Sequence, residues 1–238
     1  MMHLTHEVRT NVYDTYHPLS PTLDALTVGG NPAVAINMPQ SDRVATGPKP
    51  GVTAVETDGI QSEVRISRTI NVGLNDSFSV GVLLAPMTLA NKEFLSCAAD
   101  GDSTWYGKHI GIQTRDFGLM VTRYNNVPER IEIASTAGQW HDILSTYDGV
   151  SKVWTLYRNG NKIHQSPLSY TPSENTPNTH WFLGTIYQGA SNRAHARACC
   201  FGQAQRVLTV DEVKAIHESL KEKQNILLMP GMSMGMGF

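Results

Sequence analysis

From about residue 51 onward, turn dipeptides cut the chain into short β-rich runs, and this punctuation limits its fold more than any other feature. The runs cover residues 51–56, 63–67, 77–85, 93–98, 109–114, 118–124, 130–135, 140–147, 152–158, 161–165, 181–186 and 194–201. Between them stand Asp58-Gly59, Asp100-Gly101, Asp148-Gly149 and Asn159-Gly160, which supply the positive φ that tight hairpins need. Residues 157–163, built around Asn159-Gly160, form the clearest hairpin. A series of this kind predicts an antiparallel sandwich or barrel. Phe78, Val80 and Val82 fall on one strand face, as do Trp154, Leu156 and Arg158. Two sheets would bury those faces against each other. Trp140 and Trp181 belong to the same predicted core. Cys199 and Cys200, adjacent on a strand, are expected to point to opposite faces as buried, reduced thiols.

The two ends have a different texture. Residues 1–50 contain Pro18, Pro21, Pro32, Pro39, Pro48 and Pro50, half of the chain's 12 prolines. Proline removes backbone donors and blocks helix. This stretch reads as an extended arm with two short strands, lying on its own domain or on a neighbour. Near the other end, Thr209 and Glu212 form a capping-box pattern. Val213, Ile216 and Leu220 then make one apolar stripe, so a helix is expected over residues 210–223. In the tail, residues 224–238, Met232, Met234, Met236 and Phe238 alternate with Ser233, Gly235 and Gly237. In an extended strand the four large groups share one side, as a docking peptide would. The same residues also read as a frayed, glycine-loosened end.

Composition narrows the partners. The formal net charge is −2 and charged residues are 17%. No basic excess exists to neutralise a phosphate backbone, so no nucleic-acid partner is expected. The first residues, MMHLTHEVRT, lack the apolar core of a signal peptide. No run approaches the roughly 18 apolar residues of a membrane span, so no membrane insertion is expected.

Several segments, in order, carry a family resemblance. Asp58-Gly59 followed by Glu63–Ile66, then residues 76–82 with Pro86, look like its opening strands. Gln139-Trp140-His141 with Thr146–Gly149, Leu156–Gly160, and Phe182-Leu183-Gly184 follow. Arg206–Thr209 with Asp211–Val213 closes the series. Together, over residues 51–220, they resemble the laminin-G-like, concanavalin-A-like lectin–glucanase jelly rolls. The resemblance implies an all-β antiparallel sandwich with one short C-terminal helix and an extended N-terminal arm: arm 1–50, jelly roll 51–223, tail 224–238. It departs from the family at Ala198–Gln203, where an acidic pair is usual. Jelly rolls of this kind occur as appendages of bacteriophage particles. The resemblance therefore implies a non-enzymatic virion subunit, such as a decoration, fibre or tail-associated protein. Its partners would be other virion proteins, copies of itself and surface glycans. A free carbohydrate-binding module is the alternative.

The chemistry expected from the residues is sparse. Related glucanases use paired carboxylates on one strand as acid and nucleophile. Glu129 and Glu132 have the wrong phase for that, and Asp211 and Glu212 belong to the capped helix. A polysaccharide hydrolase is thus disfavoured, and no cofactor is required. Asp100 and Asp102 form the best loop for Ca²⁺, with Asp148 next, since the ion needs several oxygens at one place. These aspartates also read as turn residues bonding their own backbone. Trp105, Tyr106, Tyr124, Asn126 and Tyr187 are the candidates for a glycan site, where aromatic faces meet polar groups on loops. Packing of Trp105 against the arm or a neighbour is an equal reading. Met232, Met234, Met236 and Phe238 are the assembly candidates.

Overall fold

The computed structural model describes residues 9, 11–19, 33–38, 45–48, 52–72, 75–98, 111–123, 129–167, 180–185 and 193–219. In chain order the strands are β1 (Thr15–His17), β2 (Val34–Ile36), β3 (Ala45–Thr46), β4 (Thr53–Asp58) and β5 (Glu63–Ser67). Next come β6 (Phe78–Pro86), β7 (Lys92–Ala98), β8 (Gly111–Arg115), β9 (Gly118–Arg123) and β10 (Glu129–Ala134). The last are β11 (His141–Asp148), β12 (Val153–Arg158), β13 (Asn161–Pro167), β14 (His180–Leu183) and β15 (His195–Ala204), followed by helix α1 (Val210–Glu218). One sheet runs β13-β12-β11-β6-β15-β4-β3, with β1 added beside β15. The other runs β10-β9-β8-β7-β14-β5-β2. Every pairing is antiparallel. The protein is an all-β antiparallel sandwich with one short helix.

Period two builds the core between the sheets. Phe78, Val80, Val82 and Leu84 from β6 meet Trp154 and Leu156 from β12, and Val64, Ile66, Trp181 and Leu183 from the facing sheet. Buried polar ends are matched: Trp154 Nε1 donates to Ser145 Oγ at 2.8 Å, and Trp181 Nε1 donates to Gln203 Oε1 at 3.0 Å. Gln203 also accepts from the Thr69 amide and donates to the Ser67 carbonyl. One amide on β15 thereby pins β14 and the end of β5 across the sandwich. The hairpin at Asn159-Gly160 has φ of 52° and 76° at these two residues, the mirror-image turn that suits strand twist.

A second apolar layer lies on the outer face of the β1-containing sheet. Tyr13, Tyr16, Leu83, Leu144, Tyr157, Cys199, Cys200, Leu208, Val213 and Ile216 form it, with Trp140 only half-buried at its side. Helix α1 covers part of this face. Its Thr209–Glu212 capping box is present, with the Glu212 amide donating to Thr209 Oγ1 and the Thr209 amide donating to Glu212 Oε2. The helix is described to Glu218; residues 220–223 of the expected helix lie outside the described residues.

One open alternative is narrowed and one expectation changes. The N-terminal stretch supplies β1 to one sheet, β2 to the other and β3 to the end of the first. It also buries Arg9, Tyr13, Tyr16, Leu19 and Met38, so the described part of this arm is built into its own domain. Cys199 and Cys200 do not straddle the sheet. The register of β15 against β6 slips between Ala198 and Cys200. Ala198 and Phe201 join the inner core while both cysteines join the outer layer. A bulge places two successive residues opposite one on the partner strand and breaks the alternation.

Candidate functional site

Sandwich proteins usually carry binding residues on the loops at one end, and the register defines the ends here. Ala98 pairs with His180, Ser96 with Gly111, Gly111 with Thr122, and Arg123 with Glu129. His180 also pairs with Ser67. Segments 99–110, 124–128 and 168–179 therefore leave the sheets at the same end. Segment 186–192 follows Leu183, at the opposite end of β14. Trp105, Tyr106, Tyr124 and Asn126 belong to two segments rooted together, and Tyr187 to one rooted across the sandwich. These five residues themselves, with Asp100, Asp102, Met232, Met234, Met236 and Phe238, lie outside the described residues.

The described part of that end carries a polar group that no sequence motif announced. Glu129, the first residue of β10, holds its Oε1 2.7 Å from His164 Nε2 and accepts at Oε2 from Ser166 Oγ, also at 2.7 Å. The three come from edge strands of different sheets, β10 and β13, and join them. The His164 ring lies 5.2 Å from the Trp154 ring. Sequence separations of 35 and 37 residues hid this contact. The serine bonds the carboxylate and not the imidazole, so the trio lacks the order of a nucleophilic triad. It presents a carboxylate and an imidazole held in place beside segment 124–128.

A second serine–histidine pair is excluded from nucleophilic work by its tautomer. Arg158 Nε donates to His141 Nδ1 at 3.3 Å, and an arginine can only donate. The imidazole proton then sits on Nε2, which points at Ser135 Oγ 2.7 Å away. A base must present a lone pair there. Burial, with the Arg158 charge beside it, lowers the His141 pKa to about 4.

Asp148 resolves as a turn residue. It accepts from the Val150 amide and from Ser151 Oγ, and these bonds hold its carboxyl below the usual range. The Lys152 ammonium bonds the Asn75 side chain and the Gly149 carbonyl, so a cation already occupies that corner. At the opposite end Asp58 Oδ1 accepts from the amides of Ile60, Gln61 and Ser62. Glu56 takes His195 and Arg197, and Glu63 takes Arg65 and Arg193. Among the described residues no group of three His, Cys, Asp or Glu is placed to hold a metal ion. Among them, too, no helix is long and apolar enough to cross a membrane.

No family model matches the chain, and no curated protein does. Solved structures do. Domain 4 of AbnA, a GH43 extracellular arabinanase from Geobacillus stearothermophilus, in complex with arabinotriose, is 15% identical with a TM-score of 0.64, covering 86% of this chain and 98% of that one. The botulinum neurotoxin serotype D binding domain is 9% identical with a TM-score of 0.60, covering 91% of this chain and 53% of that one. Trypanosoma rangeli sialidase in complex with sialic acid is 12% identical with a TM-score of 0.64, covering 90% and 34%. The chain thus spans about half the length of the toxin domain and a third of the sialidase. At these identities the shared property is the fold: this chain is an all-β sandwich of the architecture found within those three proteins.

Proposed function

We propose that the protein is a non-enzymatic glycan-binding module. Its site would lie at the end of the sandwich where segments 99–110, 124–128 and 168–179 leave the sheets. The observation that carries this reading is the common root of the two segments bearing Trp105, Tyr106, Tyr124 and Asn126, beside the Glu129–His164–Ser166 group. Aromatic faces stack on sugar rings, and a fixed carboxylate accepts from sugar hydroxyls. The similar structures include an arabinanase domain solved with arabinotriose and a sialidase solved with sialic acid, which supports a sugar as the ligand class. The role of Glu129 is to orient hydroxyls, since its serine and histidine are already bonded to it.

The finer part of the proposal puts the module on a bacteriophage particle, among copies of itself and other virion proteins. It rests on the sequence resemblance and on the alternating Met232, Met234, Met236 and Phe238. Deleting residues 230–238 would then abolish particle incorporation while thermal unfolding stays nearly unchanged.

A glycan array followed by calorimetry on the full chain tests the binding reading. Trp105→Ala and Tyr124→Ala should each weaken binding by about tenfold or more, the loss of one stacking contact in a desolvated site. Tyr187→Ala should leave it unchanged. Equal losses at Tyr187 and Trp105, or release of reducing sugar from the bound polysaccharide, would overturn the reading.

A further inference from the structure

The bulge in β15 does more than break a pattern. It brings two thiols to the same face, Cys199 and Cys200, both buried and neither in a disulfide. What covers them is the N-terminal segment. Tyr13 and Tyr16 share the outer apolar layer with both thiols, and Tyr16 and Cys199 are the hydrogen-bond partners of Cys200. The buried Arg9 guanidinium completes the surroundings. Its Nη2 donates to Asp142 Oδ2 and to the Ile216 carbonyl, both at 3.3 Å.

We propose that Cys199 and Cys200 form a thiol–disulfide exchange site, gated by the N-terminal segment, whose co-reactant is a small disulfide of the glutathione class. Cys200 is the attacking group. The hydrogen bond from Cys199 draws its pKa below the ordinary thiol range, and the Arg9 charge acts in the same direction against burial. The Cys199 thiol is driven the opposite way, chiefly by that same hydrogen bond. In the step, the Cys200 thiolate attacks one sulfur of the small disulfide. A new S–S bond forms, the old one breaks, and one thiolate leaves and takes up the proton that Cys200 released. Cys200 is oxidised and half of the small disulfide is reduced.

Closure between the neighbours is disfavoured. Their Cα atoms are about 3.8 Å apart across a trans peptide, below the roughly 4.4 Å lower end of disulfide geometry. The mixed disulfide on Cys200 is therefore the product that accumulates. Its bulk cannot share the space occupied by Tyr16, so the adduct holds the segment off the sheet.

The cover is built to open before the body does. Arg9 Nε, Tyr13 Oη, Asp142 Oδ1 and His217 Nδ1 are buried without hydrogen-bond partners. His217 Nδ1 lies 3.7 Å from Asp142 Oδ2, too far for one. Orphaned polar atoms weaken the interface that contains them, and a weakly held edge segment opens sub-globally.

The test treats the full chain with oxidised glutathione at pH 7.5 and maps the adduct by peptide mass. One glutathionyl group is expected on Cys200, with Cys199→Ser retaining it and Cys200→Ser losing it. Labelling should depend on urea far less steeply than global unfolding does. Tyr13→Ala should speed labelling by about tenfold or more. Modification confined to Cys97 or Cys199, or a labelling rate in the unaltered chain that tracks global unfolding, would overturn the proposal. The urea dependence decides the matter even if Tyr13→Ala does not fold.

Discussion

The ring of Tyr13 occupies the space that a side chain at Gly202 would need. A Cβ built at Gly202 stands 2.6 Å from Tyr13 Cγ, and one at the cross-strand partner Gly81 stands 3.1 Å from Tyr13 Cζ. Two glycines on adjacent strands make a slot, and an aromatic residue from the chain's beginning fills it. Gly202→Ala should expel that ring and destabilise the protein by about 1–3 kcal/mol, the usual cost of overpacking. Tyr13→Ala should destabilise through the opposite defect, an emptied slot. The double variant should cost less than the two added together, because both changes break one contact. Urea midpoints of the four proteins check this, and strict additivity would show that the slot is not the shared element.

Acid should weaken the fold well above the carboxylate range. Burial lowers His17 from 6.5 to about 4, and burial with Arg158 does the same at His141. Both are almost fully buried. The unfolded chain then binds two protons that the native state refuses. Stability is fully present above pH 6.5 and is lost as the pH falls from 6.5 to about 4. The loss is roughly 3 kcal/mol per histidine if both shifts are realised in full. Urea midpoints across this range should fall with a two-proton slope, and His141→Gln should halve it. A flat profile down to pH 4 would refute the assignment.

Gln203 should matter more than its polarity suggests. Gln203→Leu keeps the volume but leaves the Trp181 indole, the Thr69 amide and the Ser67 carbonyl without their partner. Each orphaned group costs about 1–3 kcal/mol, so the variant should lose at least as much stability as a truncated aromatic. Thermal melting compared with Trp154→Ala, for which roughly 3–5 kcal/mol is expected, provides the scale.

The helix cap offers a smaller, separable effect. Glu212 closes the capping box and receives Arg206 through both carboxylate oxygens. The Arg206 hydrogen bonds, with those from Thr209, lower its pKa to about 2. Its contribution is present above about pH 4.5 and fades as the pH falls toward 2. Glu212→Ala should cost about 1 kcal/mol at neutral pH, discounted for the exposure of Arg206. Chemical denaturation at pH 7 and pH 2.5 should show the difference at the first and little at the second.

Much of the β-sandwich was legible because alternation and turn residues are local. Each of the twelve expected runs overlaps a strand, from Glu63–Ser67, which matches to the residue, to Trp181–Ile186, which shortens to His180–Leu183. The Thr209–Glu212 cap was legible for the same reason. The bulge at Ala198–Cys200 was not, because a slip in register leaves no mark in composition. Nor was the fate of the proline-rich start. Tyr13 finds Gly81 and Gly202 only through the fold, and Arg9 finds Asp142 across 133 residues. The candidate site divides the same way: aromatic loop residues are visible in a list of amino acids, whereas the joining of Glu129 to His164 and Ser166 is not.

That joining has a consequence for how the molecule behaves when crowded. An open sheet margin invites a strand from another molecule and so propagates fibres. Here the two longer margins, β10 and β13, are cross-tied by Glu129. They carry Arg130, Glu132 and Lys162 along their length, and β13 ends at Pro167, which has no amide hydrogen to offer. On the other flank the outermost strands among the described residues are only two and three residues long. Among the described residues, both flanks thus discourage polymerisation through backbone ladders.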